Sequence, residues 1–159
     1  MISDYARLDR WIDAHFTEET AFLQELVRVP TDTPPGDNAP HAARTADLLA
    51  AFGFVADRYA VPEAIVKEHG LASITNLVVR RRYGAGPTIA LNAHGDVVPP
   101  GDGWTHDPYG GTVEAGRLYG RAAAVSKSDF ATYTFAVRAL ESLNLPLKGN
   151  VELLSLIHI

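Results

Sequence analysis

The chain has 159 residues, which suits one domain or a piece of a larger one. Apolar residues make up 47% and charged residues 21%, the balance of a globular protein, and no run approaches the roughly 18 apolar residues that a membrane helix needs. The net charge of −5 argues against a nucleic-acid partner, and the absence of cysteine excludes disulfides and thiolate metal ligands.

Residues 3–28 carry helical spacing, first at Trp11, Ile12, His15 and Phe16, then at Phe22, Leu23, Leu26 and Val27. We expect a break near Phe16, with Thr17 capping a second segment whose first turn holds Glu18 and Glu19. The N-terminus lacks a basic region followed by an apolar core, so it does not read as a signal peptide, and cytoplasm is the expected location. The stretch "VPTDTPPGDNAP" contains three X-Pro pairs and reads as an extended loop. A helix over 40–52 follows, with Pro40 in its first turn and Gly53 as its stop.

"FVADRYAV" reads as a short strand and "PEAIVKEHG" as a short helix. Two strong strands come next, 76–82 and 88–93, joined by "RYGAG". The basic residues 80–82 fit a solvated strand end. The second strand is apolar on both faces, the pattern of a central strand covered by helices. "TVEAGRLYG" predicts a small hairpin turning at Ala115-Gly116, 127–143 a helix, and 150–157 a last strand. The class is α/β, a central mixed, mostly parallel sheet flanked by helices.

The chemistry gathers where the second strong strand ends, at His94-Gly95-Asp96. Functional side chains at the carboxyl end of a strand sit where open α/β sheets place ligands. Residues two apart in an extended segment point the same way, so His94 and Asp96 can face one pocket. Neutral imidazole is a ligand for zinc and other late divalent metals, and it needs its second nitrogen held by a carboxylate or carbonyl. A lone strand-end histidine is more often structural than ligating.

The surrounding residues go further. His94, Asp96, Val98, Pro99, Trp104, Asp107, Pro108, Tyr109, Leu118, Tyr119, Gly120, Arg121 and Lys127 occur in an order and spacing that resemble the zinc metallopeptidase family of aminoacylases, succinyl-diaminopimelate desuccinylase, acetylornithine deacetylase and glutamate carboxypeptidase. The resemblance implies that His94 is a metal ligand and that Asp96 orients it in catalysis. It implies that Trp104, Pro108 and Tyr109 wall the loop and that Arg121 is a structural hydrogen-bonder. The implied parent is a hydrolase using zinc, or cobalt or manganese, to cleave an amide of an N-acyl amino acid or small peptide by metal-activated water. It would be homodimeric, with no nucleic-acid or membrane partner.

Two departures bear on that expectation. Val125 stands where the family places the carboxylate that bridges two metals, and a valine ligates nothing. Asp129, one helical turn on, would reach a metal if the helix start were shifted; otherwise it reads as a first-turn acid at the helix N-terminus. The family also places a Glu-Glu pair just after the strand corresponding to 150–157, then a lid domain and a final histidine; this sequence has none of them. The last six residues resemble a translated sequencing-adapter tail, so His158 is not taken as a ligand. We therefore expect residues 1–159 to be the N-terminal part of a catalytic domain, without the lid, the dimerisation surface or a complete metal site. The competing expectation is a degenerate member with a binding or assembly role.

Overall fold

A computed structural model describes residues 2–157; His158 lies outside them. In chain order the elements are α1 (Asp4–Val27), α2 (Ala39–Ala51), β1 (Ala56–Ala60), α3 (Glu63–Glu68), β2 (Thr75–Arg82), β3 (Thr88–His94), β4 (Thr112–Glu114), β5 (Arg117–Tyr119), α4 (Lys127–Ser142) and β6 (Asn150–Leu156). Among the described residues no helix is long and apolar enough to cross a membrane.

Helix α1 does not break at Phe16. Ser3 is its N-cap, with Oγ accepting from Ala6 N at 3.2 Å. Thr17 lies inside the helix rather than capping one. Trp11, His15, Phe22 and Leu26 keep one helical stripe across the expected break. The two acids serve a neighbouring helix instead of a helix terminus. Glu18 pairs with Arg138 of α4 at 2.9 Å, and Glu19 accepts from Thr132 at 3.3 Å.

The main sheet has the order β1-β2-β6-β3, and β4 and β5 form a separate hairpin. That hairpin turns through Ala115 and Gly116, both at positive φ (49° and 75°), the backbone that a two-residue turn of this hand requires. The four-stranded sheet is mixed, as expected, but parallel pairing does not prevail. Strand β3 runs parallel to β6, whereas β1–β2 and β2–β6 are antiparallel. Strands β2 and β3, consecutive in the chain, do not pair; β6 is inserted between them. The central strand is therefore β6, with Leu153 fully buried, and β3 is an edge strand of the described sheet. Its Thr88, Ala90 and Asn92 are exposed, and Ile89 is 60% exposed. An apolar pattern reports which faces suit burial; which neighbour covers them is a tertiary matter.

Ala56, Val79, Leu153 and Leu91 form one cross-strand row. They pack with Phe22 and Leu26 of α1, Leu49 of α2, and Phe130, Ala131 and Phe135 of α4 in a single core. The opposite face carries Arg80, paired with Asp57 at 2.5 Å and Glu152 at 3.1 Å. The basic run 80–82 is thus ion-paired in part, with Arg81 held to Glu141 at 2.7 Å.

The loop between β2 and β3 closes over the start of β6. Gly86 N donates to Lys148 O at 2.6 Å, and Asn150 N donates to Pro87 O at 2.9 Å. A Cβ at Gly86 would lie 2.5 Å from Lys148 O, a backbone atom that cannot swing aside. We expect Gly86→Ala to lower unfolding free energy by about 1–3 kcal/mol, the usual cost of overpacking. A urea titration showing no change in midpoint would contradict this close approach.

Candidate functional site

Strand β3 delivers His94 at the edge of the sheet, and residues 95–98 then run beside the loop 29–33. Val97 N donates to Thr31 O (3.1 Å), Thr33 N donates to Val97 O (2.7 Å), and the Thr31 hydroxyl donates to Gly95 O (2.6 Å). The His94 amide donates to Ser126 Oγ at 3.3 Å, which ties the strand end to the start of α4.

The structure brings His94 and Asp96 together on one surface. Nδ1 of His94 lies 2.9 Å from the backbone carbonyl of Asp96 and 3.4 Å from its Oδ1. The shorter contact is the hydrogen bond. A carbonyl oxygen can only accept, so Nδ1 carries the proton and Nε2 its lone pair. The main chain of Asp96, rather than the expected carboxylate, thus sets the tautomer. Oδ1 of Asp96 is buried without a hydrogen bond, 3.4 Å from His94 Nδ1. The His94 side chain is 46% exposed.

The residues fit a divalent metal only in part. A half-exposed imidazole with Nδ1 engaged leaves Nε2 as the nitrogen suited to a first ligand. No group of three or more His, Asp or Glu side chains that could hold a metal occurs among the described residues. Asp129, the expected substitute for a bridging carboxylate, accepts instead from Ser126 Oγ at 2.9 Å. Ser126 occupies the N-cap position of α4, but its hydroxyl makes no cap bond and serves Asp129. Val125 is 63% exposed.

The loop residues divide. Arg121 Nε donates to Val98 O at 2.8 Å, and its amide donates to Pro108 O at 2.6 Å, a structural part as expected. The Tyr109 hydroxyl donates to Asp32, and burial together with that carboxylate pushes its ionisation upward. Trp104 is not a packed wall. It is 39% exposed, with Nε1 donating to Pro100 O at 3.0 Å in its own loop.

Behind the site lie three groups whose burial and contacts the sequence reading did not give. Lys127 is buried, Nζ donating to Val29 O at 2.9 Å; burial pushes its pKa down to about 7, against the opposing pull of Asp32. Asp32 takes the Tyr109 hydroxyl. His41, in the first turn of α2, lies buried against Gly95; burial, and secondarily the charge of Lys127, push its pKa down to about 3. No spacing signals these groups, because 29–41 and 127 meet only in the folded chain. Lys127 carried part of the family resemblance, but nothing in the sequence marked it as buried.

Comparison with known proteins follows the same line. The model of "Peptidase family M20/M25/M40" matches residues 90–156. A succinyl-diaminopimelate desuccinylase of Methylobacterium nodulans is 40% identical over 121 residues, 75% of this chain and 28% of that protein. The corresponding protein of Gluconobacter oxydans is 37% identical over 140 residues, 87% of this chain and 34% of its own length. The chain thus spans about a third of the curated relatives it matches. Human carnosine dipeptidase 1 superposes with a TM-score of 0.72 at 26% identity, over 94% of this chain and 34% of that structure. An M20 family metallo-carboxypeptidase from Sulfolobus solfataricus has the same fold, with a TM-score of 0.72 at 24% identity over 87% of this chain and 30% of its own.

Proposed function

We propose that this chain is part of a peptidase of the M20/M25/M40 type, whose family model matches residues 90–156, and that its parent protein is a metal-dependent hydrolase of an amide bond in an N-acyl amino acid or small peptide. The observation that carries this reading is the 2.9 Å contact of His94 Nδ1 with the Asp96 carbonyl in a side chain that is 46% exposed, which leaves Nε2 as the ring nitrogen for a ligand. His94 contributes one ligand nitrogen, and Asp96 positions it. A divalent ion such as zinc, cobalt or manganese, when bound, supplies Lewis acidity and lowers the pKa of its water. The names of the relatives, a desuccinylase and a dipeptidase, agree in acting on acylated or peptidic amino acids, and the substrate class is taken from them. Homodimeric assembly and a cytoplasmic location belong to the same reading as proposals.

A second reading rests on Val125. A family member without a bridging carboxylate would keep the fold and one imidazole and act in binding or assembly. Residues 1–159 are proposed to be the N-terminal part of the catalytic domain and inactive alone. A catalytic zinc needs about three protein ligands and an open position, and His94 is the one ligand identified.

Isothermal titration with zinc, paired with an amidase assay on N-acetyl amino acids, tests this. The 159-residue chain is expected to bind zinc weakly and to show no turnover above background, with little change on His94→Ala. In a protein of the relatives' length, His94→Ala is expected to abolish metal-dependent turnover. Unchanged turnover there would remove His94 as a ligand. Tight stoichiometric zinc in the short chain, lost on His94→Ala, would mean that it completes a site by itself.

A further inference from the structure

The segment that carries His94 is held from behind by a residue outside the metal-site pattern. His41 is 4% exposed, and its ring lies against Gly95. A Cβ built on Gly95 would stand 2.9 Å from both Cε1 and Nδ1 of that ring, closer than carbon atoms tolerate. Gly95 is not among the positive-φ glycines, so space rather than backbone conformation demands the glycine. The segment is held at three points: the His94 amide on Ser126 Oγ, Gly95 O on the Thr31 hydroxyl, and the Gly95 Cα on the His41 ring.

The ring has a physical reason to be there that simple core filling does not supply. Its Nε2 is buried with no hydrogen-bond partner, and a buried orphan nitrogen is costly. An apolar side chain would fill the volume without that cost; what this ring does is bring Cε1 and Nδ1 to within 2.9 Å of where a Gly95 Cβ would stand. Burial and the neighbouring Lys127 keep the ring neutral, so no charge lies beneath the segment.

We propose that His41 is a positioning residue. Its ring sets the bend at Gly95, which aims the His94 Nδ1–H at the Asp96 carbonyl two residues on and leaves Nε2 outward. The consequence for metal binding rests on the reading of His94 given above; the ring geometry does not.

The test is the imidazole nitrogen NMR signature of His94 in the 159-residue chain, at about pH 8, above the ordinary imidazole range. The parent chain is expected to hold His94 mainly as the Nδ1–H tautomer. Gly95→Ala is expected to shift the tautomer ratio about fivefold toward Nε2–H, the size of one net hydrogen bond. His41→Ala is expected to shift it in the same direction. His41→Phe, which keeps a flat ring, is expected to leave it unchanged. Adding His41→Ala to Gly95→Ala is expected to recover most of the ratio, because the new methyl enters the vacated space. If Gly95→Ala alone fails to fold, recovery of the circular dichroism spectrum in the double variant reads the same contact.

A His94 ratio unmoved by His41→Ala in a folded chain would overturn the proposal. So would a Gly95→Ala defect that is the same with and without His41. A protein of the relatives' length separates this idea from the one it builds on, because there His94→Ala is expected to abolish metal-dependent turnover. A ratio that follows the substitutions in the 159-residue chain while that turnover survives His94→Ala keeps His41 as positioner and removes His94 as ligand. Turnover lost on His94→Ala with no effect of His41 on the ratio does the reverse.

Discussion

The unfolding free energy of the chain is expected to rise by about 3 kcal/mol between pH 7 and pH 9.5, and Lys127→Met is expected to remove that rise. Lys127 is 1% exposed, with a carbonyl acceptor for one of its three donors. Burial lowers its folded pKa from 10.5 to about 7, and Asp32 offsets part of the effect. Below about pH 7 both folded and unfolded chains hold the proton, and the full cost of the buried ammonium is present. Between the two values the unfolded chain binds more protons, so stability increases with pH. The whole gap corresponds to roughly 5 kcal/mol as an order of magnitude, most of which accrues by pH 9.5.

The window must close there because two tyrosines act in the opposite sense. Tyr83, pushed up to about 12, and Tyr109, also pushed up, keep their protons in the fold after the unfolded chain has begun to lose them. They therefore subtract stability above about pH 10. Urea titrations at pH 7 and 9.5 for both chains measure the effect as a difference of differences, in which groups common to both cancel. Parallel profiles for the two chains would show that Lys127 titrates normally and that the cavity around it is wetter than the structure has it.

Phe135→Ala is expected to cost about 3–5 kcal/mol, the range for a buried phenylalanine truncated to alanine. Phe135 is 1% exposed and stands at the crossing of three segments. Its ring meets Phe22 of α1 edge-on at 6.0 Å, Trp11 of α1 tilted at 6.4 Å, and Phe52 after α2 edge-on at 5.5 Å. Arg138 lies over both Phe135, at 4.5 Å, and Phe52, at 3.8 Å. Truncation leaves a cavity that none of these rigid rings can collapse to fill, and edge-on aromatic contacts are lost with it. Domains are stable by only about 5–15 kcal/mol, so the variant should sit near the edge of folding. Phe16→Ala, at 63% exposed, is the control and should stay within about 0.5 kcal/mol. Similar midpoints for the two variants would mean that Phe135 is not the keystone of this core.

Much of the architecture was legible in the residues. The hairpin at Ala115-Gly116 and the helix ending at Gly53 carry local turn and capping chemistry, and the helix beginning at Lys127 carries apolar helical spacing; the structure places all three where those signals point. The apparent break at Phe16 was a false signal. Thr17, Glu18 and Glu19 imitate a helix start, but the acids are there for Arg138 and Thr132, more than a hundred residues away. At the site, the two-residue spacing of His94 and Asp96 sufficed to place them on one surface, because side-chain direction in an extended segment is a local property.

What the sequence determined by itself is therefore what local geometry and residue chemistry control: the elements, their order, the α/β class and the pair at the end of β3. Only the tertiary structure decided that β6 lies between β2 and β3, which puts β3 at an edge of the described sheet. Only it decided that the Asp96 carbonyl accepts from His94, that Asp129 accepts from Ser126, and that Lys127 and His41 lie buried behind the segment that carries His94 and Asp96. Strand order, burial of a charge and close approach of a ring to a glycine all join residues far apart in the chain. No periodicity encodes such contacts; they exist because one shared core brings α1, α2, α4 and the sheet together.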